Sequence, residues 1–150
     1  MAGLWFDEFQ VGQVFRHEIR RTVTEADNIW FCAMTYNPAQ LHIDYDYAVK
    51  TEFGKPLVNS IFTLGLVIGL SIQDTTLGTT VANLGMIDTA FPKPVFAGDT
   101  IRSETTVTAL RDSKSRPDQG ILTMEHIGLN QRDEIVCRTV RNALMLRKPT

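Results

Sequence analysis

The sequence predicts an α+β fold in which an antiparallel sheet curls around one long apolar helix. Three observations carry that expectation. Residues 61–72 are apolar all round a helical projection, with Gly65 and Gly69 four apart, so such a helix requires cover on nearly every side. Behind it come four strand-like segments rich in Val, Ile and Thr, at residues 80–91, 100–111, 120–130 and 134–146. The breaks between them carry turn chemistry: Pro92, Pro94 and Gly98-Asp99, then Arg116-Pro117-Asp118-Gln119-Gly120, then Asn130-Gln131-Arg132-Asp133.

The first half supplies the remaining elements. Residues 13–22 alternate loosely between branched and charged side chains, which suits an exposed strand. Thr24 can cap a helix, since its oxygen can accept from first-turn amides while Glu25 and Asp27 sit at the positive end of the dipole. Ile29, Trp30, Phe31 and Met34 give that helix an apolar face, and Pro38 stops it nearby. Asp44 reads as the cap of a short helix over 45–51, with Gly54 ending it in a left-handed conformation. Pro56 resets the chain before the central helix, which should run from Asn59 or Ser60 to about Gln73. No repeat or linker divides the sequence, so residues 1–150 read as a single domain. One edge or face of the sheet is left for a second copy, and a homodimer is expected.

Composition excludes several classes. Fifteen basic residues against 17 acidic ones, with no basic run, argue against nucleic acid. The apolar stretch is well short of the ~20 residues needed to cross a bilayer, and the opening segment lacks a secretory signal, so a cytoplasmic address is expected. Cys32 and Cys137 have no paired spacing and read as buried small hydrophobes. His17 and His126 stand in strands without companion ligands, so no metal site is expected. Met34, Met86, Met124 and Met145 read as gap-filling core or pocket-wall residues.

The segment Tyr36-Asn37-Pro38-Ala39-Gln40-Leu41-His42-Ile43-Asp44 gathers an amide, an imidazole and a carboxylate just before the apolar helix. His42 can move protons near neutral pH, because an unperturbed imidazole titrates at ~6.5. The residues alone leave open whether His42 is catalytic or hydrogen-bonded as part of the turn, and whether Asp44 or Asp46 supplies a carboxylate or merely caps. Asn37 can orient a water but cannot remove a proton. Asn59 and Ser60 place amides and a dipole at the start of the central helix, where they would either stabilise negative charge or simply cap.

These residues resemble the MaoC-like dehydratases, a hotdog family that includes the R-specific enoyl-CoA hydratases. The resemblance is carried by Phe9-Gln10-Val11-Gly12, Thr22-Val23-Thr24-Glu25-Ala26-Asp27, His42-Ile43-Asp44 and Lys93-Pro94-Val95-Phe96-Ala97-Gly98-Asp99-Thr100. The family motif Asp-x-Asn-Pro-x-His has an aspartate five residues before its histidine; here that position is Asn37. The family's His-Gly before the central helix is replaced by Asn59-Ser60. Both departures, with Ser113-Lys114-Ser115-Arg116-Pro117, are similar to the mesaconyl-CoA hydratase (β-methylmalyl-CoA dehydratase) branch. The resemblance implies a hydro-lyase acting on a short, branched C5 dicarboxylic enoyl-CoA such as mesaconyl-CoA or itaconyl-CoA. CoA is then part of the substrate, and no separate cofactor is needed. It implies His42 as acid and base with Asn37 beside it, Gly85 and Met86 or Asn59 and Ser60 near the thioester oxygen, and Lys114 and Arg116 for substrate anions. The competing expectations are a hotdog acyl-CoA thioesterase and a non-catalytic acyl-CoA-binding subunit that has lost the aspartate.

Overall fold

The computed structural model describes residues 3–149. After a short 3-10 turn, Phe6–Glu8, come β1 (Val14–Thr22), α1 (Glu25–Met34), α2 (Gln40–Ile43), α3 (Tyr45–Ala48), α4 (Ser60–Gly69) and α5 (Ile72–Thr75). Four longer strands follow: β2 (Thr80–Ala90), β3 (Thr100–Asp112), β4 (Gln119–Leu129) and β5 (Ile135–Leu146). All five strands form one antiparallel sheet in the order β1-β3-β4-β5-β2, with α4 packed against β3, β4 and β5. This is the hotdog arrangement.

The sheet accepts the helix because one strand lacks a side chain at the closest approach. Gly128 on β4 faces Val67 of α4, and a Cβ added there would lie 2.3 Å from Val67 Cγ2. Val67, Leu70, Ile101, Val136 and Cys137 close the core around this contact, while Phe6, Phe9, Val107, Leu122, Met124 and Met145 form a second cluster. There Gly120 plays the corresponding part, with the Phe6 ring 2.4 Å from where its Cβ would be. Cys32 and Cys137 are both buried and free, as expected.

Four sequence expectations need correction. The central helix ends at Gly69 rather than near Gln73: the Ser71 amide and hydroxyl both turn back to the Ile68 carbonyl, tightening the last turn before α5 restarts. Nor does one chain alone surround α4. Thr63 and Val67 are buried on one side, but Ile61 is 59% exposed, and a Cβ on Gly65 or Gly69 would meet nothing within 4 Å. In α1 the apolar trio is reversed, since Ile29, Trp30 and Met34 face outward and the buried positions are Asn28 and Cys32. Met34 is therefore not core. Finally, α3 stops at Ala48, and the left-handed Gly54 (φ 68°) closes the loop beyond it.

The two sheet edges differ. On β1 the exposed positions include Arg16, Glu18, Arg20 and Arg21, whose charges discourage strand addition. On β2 they include Val81, Leu84 and Ile87, with Asp88 the strand's single charged residue.

The two strand histidines are joined in a buried polar row. His17 Nδ1 lies 2.8 Å from Asp74 Oδ2, His17 Nε2 is 2.9 Å from Thr105 Oγ1, and Thr105 Oγ1 is 2.9 Å from His126 Nδ1. Burial, and the Arg141 guanidinium nearby, push the His126 imidazole down to about 3. The native state thus binds fewer protons than the unfolded chain between pH 6.5 and 3, so stability falls as pH falls through that window. Urea unfolding at pH 6.5 and pH 5, ahead of carboxylate titration, should register a loss of about 1.5 kcal/mol from this group. His126→Gln should flatten that segment of the pH curve.

Candidate active site

The site is assembled where the loop between α1 and α4 folds back on itself. Thr24 starts α1 with a reciprocal cap, accepting from the Asp27 amide at 3.2 Å while Asp27 accepts from the Thr24 amide at 2.8 Å. The helix ends at Thr35, and Tyr36 takes a left-handed φ of 55°, which turns the chain out of the helix. Asn37 then stabilises the Pro38 bend, its Oδ1 accepting from the Ala39 amide at 3.0 Å. One carbonyl lone pair of Asn37 is spent on this turn, and its amide NH2 is left as a donor.

His42 sits on α2, half-buried. The Leu57 amide donates to the Leu41 carbonyl at 3.1 Å, laying residue 57 beside the histidine turn. His42 Nδ1 then approaches the Leu57 carbonyl oxygen at 2.6 Å. A carbonyl can only accept, so Nδ1 carries the hydrogen and Nε2 of the neutral ring keeps its lone pair. Asp44 is a cap, as one of the two sequence readings had it: its Oδ1 accepts from the Tyr47 amide at 2.9 Å and its Oδ2 from Gln40 Nε2 at 3.2 Å. Asp46 pairs with Lys50 at 2.6 Å on an exposed surface.

Asn59 resolves the same way. It is buried, its Oδ1 caps α4 by accepting from the Ile61 amide at 3.0 Å, and its Nδ2 points at Cys32 Sγ, 3.8 Å away. With Ile61 capped, the first-turn amides of Ser60 and Phe62 have no acceptor among the described residues. Two hollows open against this turn. One, of about 190 Å³, is lined by Phe31, Thr35, Asn37, Asn59 and Ile61. The other, of about 180 Å³, lies among apolar residues including Phe53, Leu57, Phe91 and Val136, with Ser60, Thr63 and Lys93 as polar groups.

The structure brings Asn37, His42, Asn59 and Ser60 to one end of the sheet. It does not bring the remaining expected residues there within one chain. Lys114 and Arg116 are exposed on the β3–β4 hairpin, beyond the Asp112–Gly120 pair, at the opposite end of a 13-residue strand from Asp99, whose carbonyl receives the Val23 amide just before α1. Gly85 and Met86 lie midway along β2, and the Gly85 amide is within 3.4 Å of Asn83 Oδ1. Close approach to the central helix does not explain Gly85, because a Cβ there meets nothing; its φ of 153° at a register shift does. Two residues were not singled out from sequence. Asn28 stands between Asp27 and the apolar run that follows, and Lys93 entered only as the first residue of the family-like segment Lys93-Pro94-Val95-Phe96-Ala97-Gly98-Asp99-Thr100, with no role of its own.

The MaoC-like domain pattern matches residues 8–141, nearly the whole chain. This protein belongs to the MaoC-like family. Among its relatives, the chain is 30% identical to the mesaconyl-CoA hydratase of Cereibacter sphaeroides, over 99% of this chain and 43% of that protein. It is 29% identical to the β-methylmalyl-CoA dehydratase of Chloroflexus aurantiacus, over 97% of this chain and 41% of that protein. It thus spans well under half the length of both relatives. Among solved structures, the MaoC-like dehydratase from Rhodospirillum rubrum superposes with a TM-score of 0.84 at 30% identity, covering 99% of this chain and 100% of that one. The agreement over the full length of a single-copy chain shows that the MaoC-like hotdog unit is present from the first strand to the last.

The cap assignment is directly measurable. Asn59→Ala should lower unfolding stability by about 1 kcal/mol or more, the usual cost of removing a helix cap, and Asn59→Ser should recover most of it. Urea midpoints of the three proteins check this.

Proposed function

We propose that this MaoC-like chain is a hydratase, adding water to and removing it from the double bond of an enoyl-CoA, with His42 as its acid and base. The observation that carries this reading is the 2.6 Å contact between His42 Nδ1 and the Leu57 carbonyl, which leaves Nε2 of the neutral ring as a proton acceptor on a turn that Asn28 ties to the entrance of α4. As the water oxygen bonds to the β-carbon, Nε2 takes one of its protons. The alkene pair moves onto the α-carbon and thioester oxygen, where the free amides of Ser60 and Phe62 can stabilise the charge. Nε2–H then returns the proton to the α-carbon, and no net proton is gained or lost. Asn37 contributes its NH2 as a donor to the water oxygen and takes no proton. Because one nitrogen both removes and returns the proton, hydrogen and hydroxyl enter from the same face of the alkene.

The acyl group we propose is a short, branched C5 dicarboxylic one, in keeping with the names of the relatives from Cereibacter and Chloroflexus. The 180 Å³ hollow supports it: its walls are apolar apart from Ser60 and Thr63, and Lys93 is the one cation lining it among the described residues. Lys93 has no ion pair among the described residues and can meet a distal carboxylate. Two copies joined along β2 are proposed as the working form, since that edge and the open face of α4 present Val81, Leu84, Ile87 and Ile61 together with Gly65 and Gly69. Antiparallel pairing of two β2 edges would carry the partner's hairpin, with its lysine and arginine, toward the His42 end.

Mass-spectrometric assay with mesaconyl-CoA, itaconyl-CoA and crotonyl-CoA tests the reading. A gain of one water without free CoA is expected, falling about 10²–10⁴-fold in His42→Ala. Release of CoA would move the assignment to a thioesterase, and binding without turnover to a carrier or regulatory subunit. Lys93→Gln should raise KM about tenfold for the dicarboxylic substrates, the loss of one charge-assisted contact, and leave crotonyl-CoA unchanged. Ile87→Arg should convert dimers to monomers in sedimentation velocity.

A further inference from the structure

The geometry points to Asn28 as the positioning residue that fixes which nitrogen of His42 is free. This rests on the reading of His42 as the proton carrier. Asn28 is 4% exposed, on the inner face of α1, and its carboxamide is fully engaged. Its Nδ2 donates to the His42 carbonyl at 3.0 Å and to the Leu57 carbonyl at 3.1 Å. Its Oδ1 accepts from the Asn59 amide at 2.9 Å, with Cys32 Sγ at 3.9 Å.

The Leu57 carbonyl therefore receives two donors, Asn28 Nδ2 and His42 Nδ1. The same NH2 that holds this carbonyl also holds the backbone of His42. Ring and main chain of the histidine are thus referred to one point, and the third bond ties that point to the entrance of α4. A neutral imidazole chooses its tautomer by the partner its other nitrogen finds. If the Leu57 carbonyl swings away, Nδ1–H loses its acceptor and the Nε2–H form, which cannot act as a base, becomes populated. No other side chain among the described residues bonds to the main chain of both the His42 turn and the α4 entrance.

Nitrogen-15 NMR of the His42 ring in the full chain tests this, read beside kcat and KM for an acyl-CoA that turns over. In the parent protein the Nδ1–H tautomer should dominate. Asn28→Leu, which keeps the branched shape and loses both donor and acceptor, should give a mixture of tautomers and a roughly 10–100-fold fall in kcat with KM within about twofold. Asn28→Ser, too short to bridge two carbonyls, provides the same comparison if the leucine variant does not fold. A tautomer change without any acyl-CoA turnover in the parent would uphold the positioning role while removing the hydratase reading. A variant that keeps the Nδ1–H tautomer and kcat while losing only urea stability would overturn it, leaving Asn28 a structural clamp.

Discussion

The arrangement depends on the contact between Val67 and Gly128. A sheet can wrap a helix only where the helix finds room, and at this crossing even a methyl group on β4 would collide with Val67. The missing side chain draws α4 down onto the strands, and the position of its first turn follows. Asn59, Ser60 and Phe62 are placed by that docking, and the His42 turn is placed in turn by Asn59 through Asn28. The site is carried by loops but referred to the rigid core through a short series of bonds.

Three side-chain amides, two of them buried, hold the loop together. Asn28, Asn37 and Asn59 each satisfy main-chain groups that the irregular loop would otherwise leave unpaired. An amide can donate and accept at once without the desolvation cost of a charge, which suits a turn lying against apolar walls. Asn37 shows both sides of this chemistry: its Oδ1 holds the bend by accepting from the Ala39 amide, and the residue carries no transferable proton.

Much of the fold was legible in the sequence because its signals were local. Thr24, Asp44 and Asn59 cap as their residue types require, and the four later strands begin and end within a few residues of their turn signals. What failed depended on distant contacts. Apolar periodicity could not say that half of α4 would lie open, or that Ile29 and Trp30 would face outward while Asn28 turned in. The loop residues around His42 were readable as a cluster, but Lys114 and Arg116 were grouped with them by sequence pattern, and only the length of β3 shows how far apart they stand in one chain. Lys93 was read only as part of a family-like segment, because nothing local tells that its side chain lines a hollow against α4.

The buried row from Asp74 to His126 has a direction. With His17 neutral, its Nδ1 hydrogen goes to Asp74, its Nε2 accepts from the Thr105 hydroxyl, and that hydroxyl oxygen accepts from His126 Nδ1. The lone pair at His126 Nε2 is then the far terminus of an ordered line that starts at a half-exposed carboxylate. The one acceptor whose role is fixed is the Asp74 carboxylate on α5, and through it the hydrogens on β1, β3 and β4 are given one common sense. A single carboxylate thus sets the polarity of a row that crosses three strands.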